Sequence, residues 1–439
     1  MTRGPAPVRA EPRAPAADVR APSRPARGVV LGYLVPEFPG QTHAFFWREV
    51  AALRRDGAEP VLVSTRRPRG AAAAHAWAPS AAARTRYLTD WSPRGAAAAV
   101  AVLAGSLRGP RRRDVAREAR AAAADGGVAR TAALLLAAAH LAAVARRERW
   151  QHLHVHSCGR AAQVAALAHA LTGLRYSVSL HGPLADYGGN QRGKWRGAAF
   201  GLVITEGLRR EVAVALAGDL PPVVAVAPMG VDPVRFARAA PYAPWAPPGR
   251  LRVVSCGRLN PSKGHHDLVR AVRLLTDAGR DVELVVAGED EQGGAGYRRD
   301  LEALIDRSGL GGRVRLLGSV GEDEVRAQLE RAHVFALASH AEPLGVAIME
   351  AMALELPVVV GAGGGVGALV EDGVTGLLVP PRDPSGIAAA LARAADDPVL
   401  AVALGARARR HVVATFSSER GARTLLDLVE RSTTEGSRT

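Results

Sequence analysis

Ser339-His340-Ala341-Glu342-Pro343-Leu344-Gly345-Val346-Ala347-Ile348-Met349-Glu350-Ala351-Met352-Ala353 carries two carboxylates eight residues apart across a change of backbone pattern. The run just before it, His333-Val334-Phe335-Ala336-Leu337-Ala338, has the continuous apolar character of a buried strand. Pro343 and Gly345 break the chain, and residues 346–354 then predict a helix. Glu342 therefore falls in the loop and Glu350 on the helix, roughly 7 Å along the axis from Gly345 at about 1.5 Å per residue. The unpaired amides of the helix start lie between the two carboxylates, and such amides bind anions. Phosphate in the middle with hydroxyls at either end is the layout of a nucleotide-sugar. The same residues also read as two glutamates that cap and solvate a surface helix.

Outward from this stretch, apolar runs of strand length recur at 251–256, 282–287, 314–317, 357–360 and 376–379, with helical segments between them. A first alternation precedes it. Val29-Val30-Leu31-Gly32-Tyr33-Leu34-Val35 predicts a strand that ends in the turn-rich loop 36–42; a helix over 45–55 and a strand over 60–64 follow. Strands are again predicted at 152–156, 176–180, 202–204 and 223–226. Such alternation makes doubly wound parallel sheets, whose ligands sit at the carboxyl ends of the strands. The division expected is a Pro/Ala/Arg-rich disordered tail over 1–27, a first Rossmann-like domain over 28–232 and a linker over 233–249. A second Rossmann-like domain over 250–410 and a C-terminal helix and tail over 411–439 complete it. The expected class is α/β, two such domains facing across a cleft, and a cleft of this kind is a preferred ligand site.

Composition narrows the function. Lys+Arg exceeds Asp+Glu by 57 to 42, an excess that invites nucleic acid as a partner. The charge is diffuse, however, and no zinc-finger or aromatic RNA-binding signature accompanies it, so no nucleic-acid partner is expected. Cys158 and Cys256 can build neither a disulfide framework nor a metal cluster, which suits a cytoplasmic setting. The N-terminus lacks the apolar segment of a secretory signal, and the longest apolar run, 131–145, is short of a bilayer span. Residues 70–150 are alanine-rich and helical, with basic clusters at 108–113 and 146–149. They suit either a solvated helical face or a peripheral contact with anionic membrane.

Gly257-Arg258-Leu259-Asn260-Pro261-Ser262-Lys263-Gly264 follows the first strand of the second unit. Arg258 offers a planar donor fork and Lys263 a mobile point charge, a pair suited to a diphosphate. Fixed cations there can take the place of a metal as negative charge develops on a leaving group. Gly363-x-Gly365-x-x-Ala368 is a loose dinucleotide fingerprint, but it lies at the far end of its sheet; its glycines are expected to let backbone approach a phosphate or sugar. The acidic runs 289–291 and 322–324 have no metal-binding spacing and read as solvated helix starts. His152, His154 and His156 share one strand face without a further ligand at a typical spacing, so no metal is expected. His181, followed by Gly182 at a strand's carboxyl end, stands where an active site in such a sheet belongs.

These residues resemble family 4 of the retaining GT-B glycosyltransferases. The resemblance is carried by Gly257-Arg258-Leu259, Lys263-Gly264, Glu342-Pro343-x-Gly345, Glu350-Ala351-Met352-Ala353, Pro357-Val358-Val359, Gly364-Gly365 and Asp372-Gly373-x-x-Gly376-Leu377-Leu378-Val379. Phe38-Pro39-x-x-Thr42-x-x-Phe45 followed by Arg48-Glu49 is similar to the opening of colanic-acid-type, exopolysaccharide-building members, and Met229-Gly230-Val231-Asp232 to the family's interdomain segment. The resemblance implies a hexosyltransferase that moves a sugar from a nucleotide-diphosphate-sugar to a glycan or lipid-linked acceptor, without a metal or other cofactor. A nucleotide-sugar epimerase or a glycan phosphorylase on the same fold is the enzyme alternative, and a basic nucleic-acid or membrane-surface binding protein the non-enzyme one. By the resemblance Arg258 and Lys263 hold the diphosphate, Glu350 the ribose and Glu342 the donor sugar; Leu344, Gly345 and Val346 line the donor, Gly40 lies in a phosphate-approaching loop, and His181 stands near the reacting sugar. A lipid-linked acceptor would place the enzyme at the inner face of the plasma membrane. His43, Glu355 and Ala368 depart from the family's usual residues.

Overall fold

The apolar runs become two parallel sheets in a computed structural model that describes residues 29–69, 73–290 and 296–435. The tail expected over 1–27 and Glu291 of the first acidic run lie outside the described residues. The first sheet is built from β1 (Val30–Glu37), β2 (Glu59–Arg66), β3 (Arg86–Tyr87), β4 (His152–Val155), β5 (Tyr176–Leu180), β6 (Gly201–Val203) and β7 (Val224–Val226), in the order β3-β2-β1-β4-β5-β6-β7. The second is built from β8 (Leu251–Cys256), β9 (Val282–Ala287), β10 (Val314–Gly318), β11 (Val334–Leu337), β12 (Val358–Gly361) and β13 (Leu377–Val379), in the order β10-β9-β8-β11-β12-β13. In each sheet the strand order reverses beside the first strand, between β1 and β4 and between β8 and β11. Crevices open there because successive loops leave in opposite directions. The loops singled out in the sequence, after β1, β8 and β11, all leave from these two points.

Helices cover both faces, so the central strands are mostly apolar and largely buried rather than strictly alternating. In β4 and β5 polar side chains enter the core, where His152, His154, Ser177 and Ser179 are buried. Ser177 Oγ on β5 lies 2.8 Å from His152 Nε2 and 2.8 Å from His154 Nδ1, and Ser179 Oγ lies 2.9 Å from His154 Nε2. A ladder of imidazole and hydroxyl groups thus satisfies polar atoms inside the core.

The helix Val128–Arg147 extends the apolar run to 20 residues, long and apolar enough to cross a bilayer by length and composition. It packs Ala138, Ala139, Leu141, Ala142 and Ala145 into the first core. The segment read as a linker is pinned at its start: Phe236, and Val231 just before the segment, are fully buried in a cluster that holds core residues of both sheets. The last helix, Ser418–Glu435, crosses back to the first domain, where Ala422, Leu425, Leu426 and Val429 pack with Tyr33, Val50 and Leu53.

Glu355 ends the helix Val346–Ala353 in the left-handed region, at φ 58°. A side chain there costs about 1–2 kcal/mol, part of which glycine would return through its freedom in the unfolded chain. Glu355→Gly is expected to stabilise the fold by about 0.5–1 kcal/mol, read as a higher urea midpoint.

Burial holds His152, His156 and His181 down to about 3, and His43 and His265 to about 4. Each of these histidines charges near pH 6.5 once the chain unfolds, so the unfolded state binds more protons between pH 6.5 and the lowered value. Their contribution to stability is therefore intact above pH 6.5 and is lost as pH falls, by about 1.4 kcal/mol per pH unit for each histidine. Melting temperature is expected to drop steeply between pH 6.5 and 5, and to change little from these groups between pH 7 and 8.

Candidate functional site

The loops after β8 and β11 are stitched together by their backbones. The Asn260 side chain accepts the Lys263 N–H at 3.2 Å and so caps the short turn Pro261–Lys263. The His340 N–H donates to the Ser262 carbonyl at 2.8 Å. Gly264, at φ 65°, lies so close to the other loop that a Cβ would stand 2.0 Å from the Ala338 carbonyl oxygen, which only glycine avoids. This contact brings Lys263 Nζ to 2.5 Å from Glu342 Oε2, an oxygen that also accepts from Ser339 Oγ at 3.0 Å. Glu342 is buried, and Gly345 at φ 95° starts the helix Val346–Ala353 just beyond it. A cation, a carboxylate and a free helix start thus share one sheet edge.

The glycine run after β12 has a different task from the one expected. Its backbone lies against the Glu342 loop: the Glu342 N–H donates to the Gly363 carbonyl at 3.1 Å, and the Gly365 N–H to the Glu342 carbonyl at 2.7 Å. The glycines therefore admit protein backbone rather than an open phosphate site. A short turn, Val366–Ala368, follows instead of a helix, so the dinucleotide reading falls. Ala368 is exposed on that turn.

Glu350 lies on the inward face of its helix and is buried. Its carboxylate receives Arg48 Nη2, from the helix Ala44–Arg55 of the first domain, at 2.5 Å. The same guanidinium binds Glu322 Oε1 through Nε at 3.0 Å and Nη2 at 2.5 Å, while Trp77 Nε1 donates to Glu322 Oε2 at 2.8 Å. Burial pushes the Glu350 carboxyl up against the pull of Arg48; Glu322 is also raised by burial, but there Arg48 prevails and the net direction is down. Glu322 was expected as a solvated helix start, and the structure corrects this: it is a buried partner of a cross-domain cation. No motif marks it in sequence, where Arg48 stands out only through the resemblance of the opening segment.

Across the cleft, the loop carrying His181 abuts the Glu342 loop, since a Cβ on Gly182 would lie 3.8 Å from Pro343 Cγ. His181 Nε2 stands 3.2 Å from His156 Nδ1. His156 Nε2 is 3.0 Å from Glu49 Oε2, off the ideal hydrogen-bond line, and Tyr33 donates its hydroxyl to the same oxygen at 2.6 Å. The loop after β1 closes the cleft from the side: Gln41 Nε2 donates to the Val320 carbonyl at 2.7 Å. Gly40 lies next to it, facing the His43 ring. His43 packs on Phe38 and Phe46 rather than projecting into solvent.

Among the other expected site residues, Arg258 is exposed at the rim of its loop and Val346 is half-buried at the helix start. The Leu344 side chain is fully buried in the core, which leaves only its backbone to face a ligand. His266, Asp267 and His340 form a group unnoticed in the sequence. Asp267 Oδ2 lies 2.9 Å from His340 Nε2 and 3.4 Å from His266 Nε2, and Arg270 approaches Oδ1 at 3.3 Å. The buried aspartate is thereby satisfied, and it braces the start of the Glu342 loop. Two surface hollows, one lined by Arg146, Trp150 and Arg175 and one by Arg117, His169 and Arg196, contain none of the site residues.

Removing Arg48 would leave two buried carboxylates without their cation. Arg48→Ala is expected to cost about 3–5 kcal/mol, measured by urea denaturation.

Comparison with known proteins bears on the fold and on the second domain. Residues 244–411 match the family described as glycosyl transferases group 1. The putative colanic acid biosynthesis glycosyltransferase WcaL of Salmonella typhimurium is 34% identical over 222 residues, 48% of this chain and 52% of the relative. Alpha-D-kanosaminyltransferase of Streptomyces kanamyceticus is 36% identical over 148 residues, 34% of this chain and 37% of the relative. The chain thus spans about half the length, or less, of the curated relatives it matches. Among solved structures, Anabaena Alr3699/HepE in complex with UDP superposes with a TM-score of 0.69 at 18% identity, covering 92% of this chain and 100% of that one. Sucrose-phosphate synthase from Thermosynechococcus elongatus gives 0.68 at 20% identity, covering 92% and 98%. The chain has the two-domain GT-B fold, and its second domain, over residues 244–411, is a glycosyl transferases group 1 domain.

Proposed function

We propose that the protein is a retaining hexosyltransferase of family 4, which transfers a sugar from a nucleotide-diphosphate-sugar to a glycan or lipid-linked acceptor. The observation that carries this reading is the meeting of Lys263 and Glu342 at 2.5 Å, on two loops of one switch point, beside the amide start of the helix that bears Glu350. A cation for the diphosphate and carboxylates for hydroxyls then follow one another in the order a nucleotide-sugar needs. The group 1 match covers all of these residues, and the Anabaena protein of similar fold is described in complex with UDP and with UDP-glucose.

On this reading Lys263 and Arg258 stabilise the charge that grows on the leaving diphosphate, as fixed donors that need no reorganisation. The transfer then needs no metal. The acceptor enters from the first domain near His181, and the leaving phosphate assists removal of its proton. Glu342 is engaged by Lys263 and Ser339, an arrangement for holding sugar hydroxyls rather than for attacking the anomeric carbon. Similarity to a colanic-acid-type relative supports surface polysaccharide or glycolipid assembly, on the cytoplasmic side and at the membrane where the acceptor is lipid-linked.

Lys263→Ala is expected to lower sugar transfer at least a hundredfold with the melting temperature within a few degrees of the native protein, and EDTA to leave the native rate unchanged. A panel of nucleotide-sugars with radiolabelled transfer to membrane lipid and glycan fractions reads both; full activity in Lys263→Ala would sink the diphosphate assignment.

A further inference from the structure

We propose that Arg48 and Glu49, consecutive on the helix Ala44–Arg55, are positioning residues that set both halves of the reaction site from a single helical turn: Arg48 orients the Glu350 carboxylate, and Glu49 orders the His156–His181 pair. The inference rests on the donor-site reading above.

Neighbouring residues on a helix point about 100° apart, so one can face the cleft while the next faces its own sheet. Arg48 faces the cleft. Its guanidinium lies 4.8 Å over the Phe236 ring of the interdomain segment and is anchored by Glu322, itself held by Trp77. A guanidinium fixed on three sides fixes what it binds. Glu350 Oε1 is taken by Arg48, and on the donor-site reading the other oxygen accepts the ribose hydroxyls.

Glu49 faces inward. It accepts a hydrogen bond from the Tyr33 hydroxyl at 2.6 Å and stands 3.0 Å from His156 Nε2, a charge contact off the hydrogen-bond line. A carboxylate at that distance favours the proton on His156 Nε2, leaving Nδ1 as an acceptor. His181 Nε2, at 3.2 Å from that Nδ1, must then carry its own proton as the donor. The lone pair of His181 therefore sits on Nδ1, which is buried and without a hydrogen-bond partner among the described residues. Buried polar atoms are rarely left in that state, and a hydroxyl of the bound sugar or acceptor would complete it.

Two conservative variants test the two arms. Arg48→Lys keeps the buried charge but replaces a planar fork by one ammonium, which cannot grip Glu322 and Glu350 in the same way. Titrated calorimetrically with UDP, GDP, ADP and dTDP, it is expected to bind at least tenfold more weakly whichever nucleotide the native protein binds; Glu49→Gln is expected to bind it within twofold. Two-bond proton–nitrogen NMR spectra of histidine-labelled protein, assigned with His181→Asn, are expected to place the His181 proton on Nε2 in the native protein and to move it, at least in part, to Nδ1 in Glu49→Gln. Native-like affinity in Arg48→Lys, or a His181 tautomer that is Nδ1–H in the native protein or unchanged in Glu49→Gln, overturns the proposal. Equal losses of affinity in both variants also overturn it, because loss of stability alone gives that pattern. A native protein that binds none of the four nucleotides overturns the donor-site reading itself, and this inference with it, while the NMR result still reports on Glu49. If Arg48→Lys does not fold, Arg48→Met with Glu322→Met removes a buried charge pair together and is titrated to the same criterion.

Discussion

A buried guanidinium between two carboxylates of another domain is the interaction on which the relative placement of the two sheets turns. Arg48, Glu322 and Glu350 are each almost fully enclosed, and ions so enclosed are tolerable only in company. The first domain supplies the cation and the second both anions, so neither domain satisfies its own charges. Closing the cleft is what pairs them. The connecting segment reinforces this, with Phe236 beneath Arg48 and Arg238 donating to the Glu330 carbonyl at 2.9 Å. The final helix returns to the first sheet and fixes the geometry from the other side.

Within the second domain the organising constraint is steric. The loops after β8, β11 and β12 approach one another closer than any side chain allows at Gly264 and along Gly363–Gly365. Backbone pressed on backbone leaves little freedom, and Lys263 and Glu342 are delivered to one another as a consequence. A functional pair held this way depends on residues that carry no chemistry of their own.

Much of this was legible beforehand. Apolar runs of strand length separated by helical stretches specify a doubly wound sheet, because each strand must be covered on both faces. Gly257 to Gly264 and Ser339 to Glu350 could be placed at strand ends on that ground alone, and the structure puts them at the switch point. The histidines of β4 were legible as sharing a face, but not as partners of Ser177 and Ser179, whose register comes from strand pairing. The acidic start of the helix Glu322–Arg331 does not show its burial for a related reason. Its pattern is that of a solvated helix end, and nothing local distinguishes Glu322, which is buried, from Asp323, which pairs with Arg235 near the surface.

The sequence by itself determined the two alternating units, the loops that reach the carboxyl edges of their sheets, and the residue types those loops present, because period and turn chemistry are local properties of the chain. Only the tertiary structure decided which charges meet. Arg48 and Glu322 are separated by 274 residues, and Arg48 and Glu350 by 302. An ion pair between separate domains follows from how their whole surfaces dock, which no short stretch encodes. The same holds for His181, whose place beside His156, and through it Glu49, depends on β4 and β5 lying side by side next to the first helix.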